Sequence, residues 1–191
     1  HVGFDDLKGE VIHKNLLFFK SLGADYVIVP WDERAWDPKG VKELVKDLNV
    51  ISPILRQYGM TLGFHNHDKE FGDYEGTTYW DYIAQNTSSD ILLQLDVGWV
   101  NYAGKSAFEY IKKYPKRILT THFKIRTHKG DGLSPIIGDN NYPWDKLIET
   151  SVNFGGTRWI VLEQEEYPEK LSSMESLKRS KIGLSQYFKK L

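Results

Sequence analysis

A chain of 191 residues is long enough for one well-buried domain and short for two. A formal net charge of −1 denies it the basic surface that nucleic-acid binding needs, and the absence of cysteine excludes disulfides, thiolate metal sites and cysteine nucleophiles together. No apolar run is long enough to cross a bilayer as a helix, so membrane insertion is not expected. Taken in order, HVGF at residues 1–4 reads as the end of a strand. Leu16, Leu17, Phe19 and Lys20 then lead a helix into Gly23, a plausible stop before Tyr26–Val29, a compact apolar strand closed by Pro30. Leu44, Leu48, Ile51 and Leu55 recur at helical spacing, with Pro53 expected to kink or break the helix. Thr61–His65 and Ile91–Val97 are the next strands. Phe108, Ile111 and Tyr114 make a short helix ended by Pro115, followed by a strand at Ile118–Lys124. Leu147, Ile148 and Val152 are helical, Trp159–Gln164 is a strand, and Met174–Leu191 is a closing helix.

The sum is a β(αβ)5α pattern. Continuous apolar runs suit parallel strands covered on both faces, in an open doubly wound sheet or a closed barrel; periodicity does not choose between them. No internal repeat or low-complexity linker interrupts residues 1–191, so one domain is expected.

Polar residues at the strand ends discriminate further. Four consecutive strands end in potential metal ligands: His65-Asn66-His67-Asp68, then Asp96, His122 and Glu163. In a barrel the carboxyl ends of the strands form the catalytic face. Carboxylate and imidazole donors without sulfur suit one divalent ion of the Mn2+, Zn2+, Co2+ or Mg2+ kind. Each residue also has an ordinary role open to it. Asp96 can cap a helix, His122 can be a satisfied core histidine, and Glu163 can be half of an ion pair. Their recurrence at equivalent positions of adjacent strands is what favours a metal. His65 and His67 share one strand face, and Asn66 points to the other.

GFHNHDKEF at residues 63–71 resembles the HNHDxEF signature of the sugar phosphate isomerase/epimerase family, within the xylose isomerase-like barrel superfamily. The segments at 93–124, 136–149 (IIGDNNYPWDKLIE) and 159–167 (WIVLEQEEY) resemble that family's aspartate and histidine strands, glycine-rich loop and final glutamate strand. The resemblance implies a (β/α)8 TIM barrel of which this chain holds roughly the last six β/α units, with HVGF as the third strand and the first two units preceding His1. It implies a metal set of Glu, Asp, His and Glu; Asp96, His122 and Glu163 match the last three, and His65 stands where the first glutamate is expected.

The activity implied is a metal-dependent isomerase or epimerase acting on a sugar, sugar phosphate or keto-sugar, by proton transfer next to a carbonyl through an enediolate. Glu163 is the leading base, with His65 or His67 its partner. Lys124 and Arg126 follow His122 by two and four residues and are candidates to hold a substrate oxygen, a phosphate or an anionic intermediate, with solvated loop cations the ordinary alternative. Trp31 and Trp99 follow their strands and could line a sugar pocket, as could His67; each could equally be packing at the barrel end. Asp68, Glu165 and Glu166 read as supporting residues, and the Gly-, Asp- and Asn-rich stretch 129–141 as a mobile active-site loop. The alternatives are a lyase or dehydratase on the same metal site, an AP-endonuclease-like phosphodiesterase, disfavoured by charge, and a non-catalytic sugar-binding barrel. The partner expected is a carbohydrate, without nucleic acid; a homo-oligomer is compatible with the sequence.

Overall fold

In the computed structural model, which describes residues 1–130, 132–168 and 170–188, the apolar runs become parallel strands. The chain divides into two compact units, residues 1–94 and 95–191.

The first unit contains α1 (Val11–Ser21), β1 (Tyr26–Val29), α2 (Gly40–Gln57) and β2 (Thr61–His65). β1 and β2 pair in parallel from Tyr26 opposite Thr61 to Val29 opposite Phe64. HVGF does not form a strand. Val2 donates one bond to the Ile28 carbonyl, and the chain then turns into a short 3-10 helix at Phe4–Leu7, where the Asp6 carboxylate accepts from the Gly3 amide at 3.1 Å. A local acidic cap here outcompetes further pairing. α2 runs unbroken through Pro53. Its buried stripe of Val41, Leu44, Leu48, Ile51 and Leu55 outweighs the roughly 3 kcal/mol that an interior proline costs, since burying each such side chain contributes about 1.5–3 kcal/mol.

After β2 come the antiparallel pair β3 (Asp73–Tyr74) and β4 (Thr77–Thr78) and a helix α3 (Tyr79–Asn86), none of them evident from periodicity. Thr78 caps α3 by accepting from the Asp81 amide at 3.1 Å, and Trp80, Ile83 and Ala84 bury its inner face. The next strand, β5 (Leu92–Asp96), pairs its first three residues with β2, from Gly63 opposite Leu92 to His65 opposite Gln94.

The second unit takes up the end of β5 and adds α4 (Val97–Tyr102), α5 (Ala107–Lys113), β6 (Thr120–Phe123), α6 (Trp144–Thr150), β7 (Trp159–Leu162) and α7 (Ser173–Phe188). Asp96 lies opposite His122, and His122 opposite Val161, in parallel register. The Glu163 amide continues that ladder by donating to the Phe123 carbonyl at 3.1 Å. Val97, Val100, Ile111, Ile118, Phe123, Trp144, Leu147 and Ile148 form the core of this unit. α6 widens into a π-helical turn at Ser151–Gly155. The end of the predicted closing helix, 189–191, lies outside the described residues, as does Asp131 in the predicted loop. Among the described residues no helix is long and apolar enough to cross a membrane.

Candidate metal centre

Parallel register brings together in the second unit three residues that the sequence separates widely. Ligand atoms of Asp96, His122 and Glu163 all lie within 4.8 Å of one another. Asp96 ends β5 and divides its carboxylate between two tasks. Oδ1 caps α4, accepting from the amides of Gly98 at 2.9 Å and Trp99 at 3.1 Å, and Oδ2 lies 3.8 Å from His122 Nδ1. His122 Nδ1 is 2.9 Å from Glu163 Oε2.

Lys124 stands among these residues. Its ammonium is 3.0 Å from each of Asp96 Oδ2, Glu163 Oε2 and Glu165 Oε2, and its side chain is 1% exposed. The Trp99 ring lies 5.0 Å from that ammonium. Gly98 makes room for the stem: a Cβ there would come within 2.5 Å of Lys124 Cγ and 3.0 Å of its carbonyl oxygen. Arg126 is held at 3.0 Å by Glu166, which also accepts from the Thr127 amide, and its guanidinium lies 4.6 Å from the Trp99 ring.

The electrostatics follow from burial and these partners. Burial pushes the Asp96 carboxyl up to about 6, with Lys124 pulling against it. Burial acts in the same upward direction on Glu163, but the hydrogen bond with His122 and the charge of Lys124 outweigh it and hold Glu163 down at about 2. Burial would lower Lys124, but Asp96 and Glu163 more than offset it and raise the group. The set is therefore an anionic cradle of two carboxylates and one imidazole with an internal ammonium. That donor chemistry fits a divalent ion of borderline or hard character.

The remaining predicted residues lie in the first unit. His65 is buried at the end of β2 with Nδ1 3.1 Å from Gln94 Oε1, and its ring stands 5.2 Å from that of His67. The His67 ring meets Trp31 edge-on at 4.7 Å; Trp31 is 45% exposed and also meets Trp36 at 4.8 Å. Glu70 was missed, although the HNHDxEF motif contains it. It is fully buried, Oε2 accepts from the His67 amide at 3.0 Å, and Oε1 has no hydrogen-bond partner among the described residues. Burial, opposed by bonds from its own backbone and that of His67, pushes this carboxyl up to about 7.

Residues 10–182 match the family model described as xylose isomerase-like TIM barrel. The inosose dehydratase of Salmonella typhimurium is 24% identical in an alignment of 163 positions that covers 76% of this chain and 54% of that protein. The chain thus spans about half the length of that curated relative. A sugar phosphate isomerase/epimerase structure from Parabacteroides distasonis superposes with a TM-score of 0.74 at 20% identity, covering 98% of this chain and 69% of the other. A structure of the IOLI protein with a bound zinc atom superposes with a TM-score of 0.67 at 18% identity, covering 95% and 70%.

Proposed function

Because this chain belongs to the xylose isomerase-like TIM barrel family, we propose that it carries the metal centre of an enzyme that removes a proton next to the carbonyl of a sugar or related polyhydroxy ketone. The observation that carries this reading is the meeting of Asp96, His122 and Glu163 at the ends of consecutive parallel strands. These three residues would hold the ion. When bound, a divalent ion polarises substrate oxygens and acidifies the neighbouring C–H. Zinc, present in the IOLI structure, is one candidate beside manganese, cobalt and magnesium.

The chain's own residues divide the remaining work. Glu163, held near 2, is ionised at neutral pH, so its role is to accept a proton and not to begin by donating one. So weak a base needs a strongly acidified C–H. Lys124, at 3.0 Å, positions that carboxylate and lends positive charge to the substrate oxygens on which negative charge develops. In the second unit Trp99 and Arg126 offer a ring and donors to the sugar.

Return of the proton to the other face or the neighbouring carbon makes the enzyme an epimerase or isomerase. Loss of a hydroxyl from the same intermediate makes it a dehydratase, and the inosose dehydratase relatives favour this second outcome. The test is incubation of the complete protein with 2-keto sugars and with inososes in deuterated water containing Mn2+. Deuterium should enter beside the carbonyl at least about a hundredfold faster with the wild type than with Glu163→Gln. A product lighter by one water identifies the dehydratase. Failure of the wild type to bind any divalent ion overturns the reading.

A further inference from the structure

Lys124 and the expected ion draw on the same oxygen atoms. Asp96 commits Oδ1 to the first turn of α4, where the amides of Gly98 and Trp99 donate to it at 2.9 and 3.1 Å. Oδ2 is the oxygen that Asp96 turns to a cation, and it lies 3.0 Å from the Lys124 ammonium. Glu163 meets His122 Nδ1 through Oε2 at 2.9 Å, and this oxygen too is 3.0 Å from the ammonium. A divalent ion takes such donors at about 2.0–2.2 Å. An ion held by Asp96, His122 and Glu163 would therefore share one pair of oxygens with a second cation, in a buried place where like charges repel strongly.

The surroundings give the ammonium one place to go. Its third partner, Glu165 Oε2, is also 3.0 Å away, and Glu165 does not belong to the trio whose donor atoms converge. The Glu165 side chain is 34% exposed, whereas that of Asp96 is wholly buried. The stem of Lys124 is packed so closely on Gly98 that a Cβ there would come within 2.5 Å of Lys124 Cγ. A change of partner is thus a swing of the far end of the side chain and leaves the strand in place. Three carboxylates in so buried a setting are unfavourable without a cation among them, and the ammonium supplies one.

We propose that Lys124 is an exchangeable counter-ion of the metal centre: a divalent ion enters by displacing its ammonium from Asp96 and Glu163 onto Glu165, and the ammonium returns when the ion leaves. The proposal rests on the metal-centre reading above and adds to it how the ion is admitted and what limits its affinity. The carboxylates keep a cation in both states. The swing is short, because Glu163 and Glu165 both touch the ammonium at 3.0 Å.

The experiment titrates the full chain with Zn2+ and with Mn2+ by calorimetry, as wild type, Lys124→Met, Glu165→Gln and the double variant. Lys124→Met keeps the stem without its charge and should bind either ion at least about tenfold more tightly. Glu165→Gln removes the place of retreat. It should weaken binding about tenfold beside the native lysine, and less than about twofold once residue 124 is methionine. Equal weakening in both backgrounds overturns the proposal, because Glu165 then acts on the ion directly. A crystal structure of the Zn2+-loaded wild type serves if Lys124→Met fails to fold. It should place the ammonium more than about 4 Å from Asp96 Oδ2 and in contact with Glu165. An ammonium still paired with Asp96 in the loaded protein rejects the exchange and leaves the metal centre standing. Failure of the wild type to bind either ion rejects the metal centre, and the exchange with it.

Discussion

Asp96 has two carboxylate oxygens, and the fold uses them differently. Oδ1 caps α4, and Oδ2 faces His122 and Lys124. The cap and ligand readings of its sequence position are thus compatible. Lys124 was visible in the sequence only as a cation two residues beyond a histidine; its burial among three carboxylates depends on strands distant in sequence. Glu70 is the buried group with the clearest pH signature. Its folded carboxyl lies at about 7, above the ordinary 4.5, so the folded state binds the extra proton. Stability from this group is fully present below the ordinary value and is lost as pH rises through about 7. Urea unfolding should show the wild type losing roughly 3 kcal/mol relative to Glu70→Gln between those two pH values. A difference that stays flat across that window would show Glu70 to be ionised in the folded protein.

Among the elements, the parallel strands were legible because they are written as continuous apolar runs, although β7 leaves Trp159 and Val161 exposed and is not covered on both faces as expected. Their ends were legible because the ligand-type residues interrupt those runs. The helix α2 was legible, but its passage through Pro53 was not, since that outcome depends on how much apolar surface the stripe buries. α3 escaped notice because it is only eight residues long and depends on the Thr78 cap and on burial of Trp80. The closing helix makes a contact that no periodicity reveals. A Cβ on Gly183 of α7 would stand 1.9 Å from the Ile137 carbonyl oxygen, and one on Gly138 would stand 2.8 Å from Gly183 Cα. Gly183→Ala should therefore force α7 away from residues 137–138 and cost about 1–3 kcal/mol in chemical denaturation. An unchanged midpoint would mean that the two backbones lie farther apart in solution.

For the molecule as a whole, an ion bound at the proposed centre would couple that centre to stability. If Asp96, His122 and Glu163 hold a divalent ion only when folded, Mn2+ at a hundred times its dissociation constant should add about 2.7 kcal/mol, visible as a raised melting temperature. EDTA should reverse the gain, and Glu163→Gln should remove most of it. Equal melting temperatures with and without Mn2+ would contradict a folded-state site. The sequence by itself determined the alternation of strands and helices, because local patterning is written in the order of residues, and the barrel family, because the GFHNHDKEF and WIVLEQEEY segments carry its motifs. Only the tertiary structure decided that Lys124 is an internal counter-charge among Asp96, Glu163 and Glu165 and that Glu70 is buried and raised. Burial and charge pairing arise from contacts between residues far apart in the chain, and no local pattern encodes them.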